Sequence, residues 1–174
     1  MIELPEILKP LREKLLNSSL EDIYSLIESY GIEVAEVVLP ERKEGMYFED
    51  EDNRVIFISK NISTAQKRTA ATHEFIHAIL HTSGSILYCV DPLWRDKFER
   101  EARIYTARIL IPTDKLKKLL AMDYSIYEIA EELSVSEELV RIAIEDMTVW
   151  CSLREEKSSN SASRLNSCKG TTSI

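Results

Sequence analysis

Apolar residues recur at helical spacing through Glu3–Leu16, where Ile7, Leu8, Leu11, Leu15 and Leu16 share one stripe. Asn17-Ser18-Ser19 interrupts the pattern, and Ser18 with Glu21 reads as a capping box for a second helix over Leu20–Tyr30, ended by Gly31. The period then changes. Ile32–Leu39 is rich in β-branched residues and stops at Pro40; Gly45–Phe48 and Val55–Ile58 predict a hairpin around the acidic turn 49–53, which reads as a solvated turn rather than a cation site. Helix returns at Ser63 or Thr64 and runs to His81, followed by a loop at 82–85 and an irregular stretch to Pro92. A further helix spans Leu93–Ile111 and is stopped by Pro112. Thr113 is placed to cap a helix over Asp114–Ala121, and 124–148 reads as two short helices broken at Ser134-Val135-Ser136.

Composition narrows the class. The 174 residues, 44% hydrophobic and 30% charged, suit one globular domain over 1–150, with 113–150 a helical subregion. Beyond Cys151 this character is lost, Ser158–Ile174 having almost no apolar residues, and 151–174 predicts a disordered tail. No apolar run is long enough to span a bilayer, and the N-terminus has neither the basic patch nor the apolar run of a secretory signal. Three cysteines, Cys89, Cys151 and Cys168, form neither a disulfide framework nor a thiolate metal site. A cytoplasmic protein is expected. The formal charge of −8 argues against nucleic acid or an anionic membrane as the main partner.

All three histidines fall within nine residues, as His73, His77 and His81, and the first two frame an HExxH pattern, His73-Glu74-Phe75-Ile76-His77. Four residues make one turn of helix, about 6 Å, so both imidazoles face the same way and can close on one ion at about 2.0–2.1 Å each. Glu74, one step round the helix, is placed to take a proton from a water at such an ion. The alternative, an amphipathic core helix with incidental histidines, would bury three imidazoles beside Phe75, Ile76, Ile79 and Leu80. His81 is about 12 Å from His73 along a straight helix, too far to share its ion, and is assigned a supporting or packing role.

The third ligand must come from elsewhere, because Leu80 and Ser83 break the extended HExxHxxGxxH pattern. A carboxylate on the Leu93–Ile111 helix would complete a His-His-Glu set, and Asp96, Glu99 and Glu101 are available. Glu101 lies about 70° from the apolar stripe of Phe98, Ala102, Tyr105 and Ile109, and Glu99 about 90°, so periodicity prefers Glu101 only slightly.

These features resemble the ImmA/IrrE-type metallopeptidases. The resemblance rests on Gly45-Met46-Tyr47-Phe48 and Ile56-Phe57-Ile58 ahead of the helix, Arg68 leading into HEFIHAILH, and Glu101-Ala102-Arg103-Ile104-Tyr105-Thr106-Ala107-Arg108-Ile109-Leu110-Ile111-Pro112 after it. It covers roughly 20–147, with Ile76 in place of the usual Gly of HELGH. It implies an α+β, zincin-like fold with a small sheet beside the HExxH helix. It also implies a zinc-dependent endopeptidase (manganese can occupy such sites) with His73, His77 and Glu101 as ligands and Glu74 as catalytic base. The implied substrate is a protein, commonly a helix-turn-helix transcriptional repressor of a phage or mobile element, whose cleavage derepresses genes. An extended substrate is expected on a sheet edge, with Val55–Ile58 or its neighbour as the candidate.

Ile129-Ala130-Glu131-Glu132-Leu133-Ser134-Val135-Ser136 looks like the core of a helix-turn-helix unit. Residues 124–147 carry seven acidic residues against Arg141 alone, however, a net −6 that faces phosphates with the wrong sign. Packing or protein docking suits the segment better. The alternative functions are a non-catalytic module keeping the fold, against which the intact Glu74 argues, and a DNA-binding regulator using these C-terminal helices.

Overall fold

Pro10 divides the N-terminal leucine stripe. In a computed structural model, which describes residues 4–40, 43–81 and 92–148, a 3-10 turn at Glu6–Leu8 leads into α1 (Lys9–Leu15) instead of one continuous helix. Proline lacks an N–H and is tolerated only in the first helical turn, so the regular helix starts around it. Helix α2 (Leu20–Glu28) is capped one residue later than expected: Ser19, not Ser18, accepts from the Asp22 N–H, and Asp22 returns the bond. Ser18 instead turns its hydroxyl back to the Lys14 carbonyl. Gly31, at φ +72°, provides the left-handed exit.

Three strands follow, β1 (Glu33–Val37), β2 (Gly45–Glu49) and β3 (Arg54–Ser59), in the order β1-β3-β2. β2 and β3 form the expected antiparallel hairpin, and β1 adds parallel to β3. Val55–Ile58 is therefore the central strand and not an edge; among the described residues its neighbour β2 is one. Ile56 and Ile58 are fully buried on the inner face. Helix α3 (Thr64–Leu80), with a Ser63–Gln66 capping box, packs on both hairpin strands and against α4 (Pro92–Leu110). Helix α5 (Thr113–Ala121) follows Pro112; Thr113 is its first residue and supplies no side-chain cap. Helix α6 (Ile126–Leu133) ends at Ser134, φ +50°, and α7 occupies 137–148.

Two ties hold this frame around α3. Buried Arg68 donates to the Leu133 and Ser134 carbonyls, 3.2 and 2.6 Å, satisfying the C-terminus of α6 with a positive charge. Arg54 of β3 donates to the Tyr47 hydroxyl, to Tyr30 O and to Ala78 O, fastening the hairpin to α2 and α3. The result is an α+β fold with its small sheet beside the HExxH helix. No helix among the described residues is long and apolar enough to cross a membrane. The loop expected at 82–85, the stretch up to 91 and the tail from 151 lie outside the described residues.

Candidate metal centre

His73 and His77 lie on the side of α3 that meets α4, one turn apart, with their Nε2 atoms 3.0 Å from each other. The carboxylate between them belongs to Glu99, whose Oε2 is 3.4 Å from His73 Nε2 and whose Oε1 is 3.5 Å from His77 Nε2. Among the described residues these three form the cluster able to hold a metal ion. A tetrahedral ion with bonds of about 2.05 Å separates its ligand atoms by about 3.3 Å. The spacings of 3.0, 3.4 and 3.5 Å fit that requirement without rearrangement.

Glu101, the expected ligand, is elsewhere. Its Oε2 is 3.6 Å from Nε2 of His81, and it has no place in the cluster with His73 and His77. The two glutamates are two residues apart, about 200° around the α4 axis. One can face the HExxH pair while the other addresses the next turn of α3.

His81 caps α3 and is buried, its ring stacked on Phe98 with centroids 4.4 Å apart. Its Nδ1 is 2.9 Å from Nδ1 of His77, on the side of that ring remote from the cluster. Burial, reinforced by the adjoining His77 ring, pushes the His81 pKa down to about 4.

Glu74 projects toward the hairpin, where its Oε2 accepts from the backbone N–H of Tyr47 at 2.9 Å. That N–H points away from β3, on the side of β2 where no other strand pairs among the described residues. Ser59 N bonds Glu44 O and Asp50 N bonds Asn53 O, so the alternating ladder pairs Met46 and Phe48 with β3 and turns Gly45, Tyr47 and Glu49 outward. Gly45 makes room for the carboxylate: a Cβ there would stand 2.9 Å from Glu74 Cγ. Burial pushes the Glu74 carboxyl above its ordinary range, opposed by the His73 and His77 rings and the Tyr47 N–H. A carboxylate held this way is a stronger base than a solvated one. Glu99 was weighed in the sequence as a ligand candidate just behind Glu101, whereas Gly45 is a site residue that the sequence reading did not single out. The GMYF element contained the glycine, but its need for a bare Cα shows only against the Glu74 side chain.

Residues 27–145 match the M78 peptidase family model, described as the IrrE N-terminal-like domain. A curated relative, uncharacterized immunity region protein 2 of Bacillus phage phi105, is 26% identical over 121 residues, 68% of this chain and 77% of that protein. A solved Mycobacterium tuberculosis transcriptional regulator shares the fold at a TM-score of 0.56 and 16% identity, over 76% of this chain and 44% of that one. The chain therefore spans less than half the length of that regulator.

Proposed function

Because the chain belongs to the M78 peptidase family of IrrE N-terminal-like domains, we propose that it is a metal-dependent endopeptidase acting on a protein substrate. The metal ligands are His73, His77 and Glu99, in place of the set with Glu101, and Glu74 is the catalytic base. The observation that carries this reading is the convergence of two imidazole nitrogens and one carboxylate at ligand spacing beside a half-buried glutamate outside that cluster. Zinc suits the donor set, and manganese is the second candidate. Once bound, the ion supplies Lewis-acid polarisation of the scissile carbonyl and a lowered water pKa.

The chain's own residues supply the rest. With Oε2 of Glu74 fixed by Tyr47 N–H, Oε1 is the oxygen left to take the proton of the attacking water and pass it to the departing amine. The outward groups of Gly45 and Glu49 offer an extended peptide a strand to pair with, directly beside that carboxylate. We place the substrate among transcriptional repressors of mobile elements, in the cytoplasm; the immunity-region name of the phage relative is in keeping with a regulatory substrate. The test is incubation of wild type, Glu74→Gln and Glu99→Ala with the repressor encoded nearest the gene, alongside zinc titration. Glu74→Gln should keep one bound zinc and lose cleavage by about 10²-fold or more; Glu99→Ala should lose both. Equal cleavage by wild type and Glu74→Gln would sink the assigned base.

A further inference from the structure

We propose that His81 is a positioning residue for His77, fixing the tautomer and orientation in which His77 offers Nε2 to the metal, with Glu101 holding His81 in turn. The inference rests on the metal-site reading above and concerns groups outside its ligand set.

The argument is one of proton counting. A neutral imidazole carries one N–H. If His77 Nε2 faces Glu99 and His73 as a ligand, its proton is on Nδ1. That proton points at His81 Nδ1, 2.9 Å away, which must then be the acceptor. His81 in consequence carries its own proton on Nε2, a buried atom without a hydrogen-bond partner among the described residues. Glu101 Oε2 is 3.6 Å from that atom, a small side-chain adjustment from accepting it. The His81 ring is clamped face-on by Phe98, and its backbone N–H is tied to His77 O. Ion, His77, His81 and Glu101 thus form one directed chain, each link fixing the tautomer of the next. A ligating histidine held through its second nitrogen binds more tightly, and losing such a partner costs about 10–100-fold in metal affinity. On α4, Glu99 and Glu101 then have separate tasks, one at the ion and one at the end of the chain.

The test measures zinc affinity by chelator competition on wild type, His77→Ala, His81→Phe, His81→Asn and Glu101→Ala, with the melting temperature of each apo-protein. Asparagine puts an acceptor oxygen where histidine has Nδ1; phenylalanine keeps the stack on Phe98 and removes the acceptor. We expect His81→Phe to lose about 10–100-fold in affinity at unchanged one-to-one stoichiometry, with His81→Asn much nearer wild type. A role in packing alone predicts the reverse order, and that result would overturn the proposal. Glu101→Ala, at a partly exposed position that folding tolerates, should show a smaller loss. On zinc-loaded wild type, two-bond proton–nitrogen correlations should show His81 protonated on Nε2, and a proton on Nδ1 also overturns the chain. Failure of wild type to bind zinc, or full binding by His77→Ala, would refute the metal site itself. Normal wild-type binding with an unaffected His81→Phe would refute only the role of His81.

Discussion

Gly45 sits where the backbone of β2 meets the proposed catalytic base. A methyl group there would occupy the space of Glu74 Cγ at 2.9 Å, and the flexible glutamate, rather than the strand, would yield. Gly45→Ala is therefore expected to cut cleavage at least about tenfold, a part of the roughly 10²–10⁴ a positioned base contributes. Zinc affinity and melting temperature should change little; a parallel loss of zinc would show that the strand itself had moved. The HExxH spacing made His73, His77 and Glu74 legible as a group, since helical geometry alone puts them together. It could not separate Glu99 from Glu101. Their angles to the apolar stripe differ by about 20°, within the scatter of real helices, and which of them meets α3 depends on how two helices cross. That is a long-range property, and neither periodicity nor the motif resemblance carried it. Two overlapping capping boxes posed the same difficulty locally. Ser18/Glu21 and Ser19/Asp22 have equivalent spacing, and the winner was set by where α1 ended and Ser18 was spent on Lys14 O.

Most elements were readable from their own period, the N-terminal helix shortened by Pro10 apart, and so was the hairpin; the wider arrangement was not. Val55–Ile58 reads as a strand by its β-branched run; that it is central follows only from β1 adding to its far side. Glu36 of β1 shows how the arrangement is held: it pairs with Lys67 of α3 and accepts from the Tyr24 hydroxyl of α2, joining three elements at one carboxylate. The Lys67 ammonium and the Tyr24 hydroxyl hold its carboxyl below the usual value of 4.5, against a smaller opposing effect of burial. Lower in the folded state than in the unfolded, this pKa makes the contribution complete above about 4.5 and lost as pH falls through the depressed value. Glu36→Gln should accordingly be less stable than wild type at neutral pH, and the two should converge in acid. Urea denaturation at several pH values checks this, and a constant gap down to the acid limb would show that the carboxylate's charge does not matter.

At the scale of the whole molecule, the charge distribution decides what the helix-turn-helix-like end can do. A recognition helix must be free to enter a groove and must present cations to phosphates. Here α7 is bound on two sides: Ser136, just before it, gives its N–H to Thr69 Oγ1 of α3, and Arg108 of α4 grips Asp146 through two 2.7 Å bonds. Leu139 and Val140 are buried. Its exposed charged positions include Glu137, Glu138 and Glu145 against Arg141, and the chain as a whole carries −8. Neutralising even a few phosphates would make affinity fall with salt at a slope of about −0.9 per contact, and α7 offers only Arg141, already paired with Glu137, toward such a slope. The full chain should therefore leave the fluorescence anisotropy of a labelled duplex unchanged at about 50 mM salt, a concentration at which even non-specific binders associate. Binding that weakens log-linearly with salt, and that Arg141→Ala reduces, would instead make α7 a nucleic-acid element. The helices would then have to leave α3 and α4, and the ties from Arg68 and Arg108 are the contacts whose loss would accompany it.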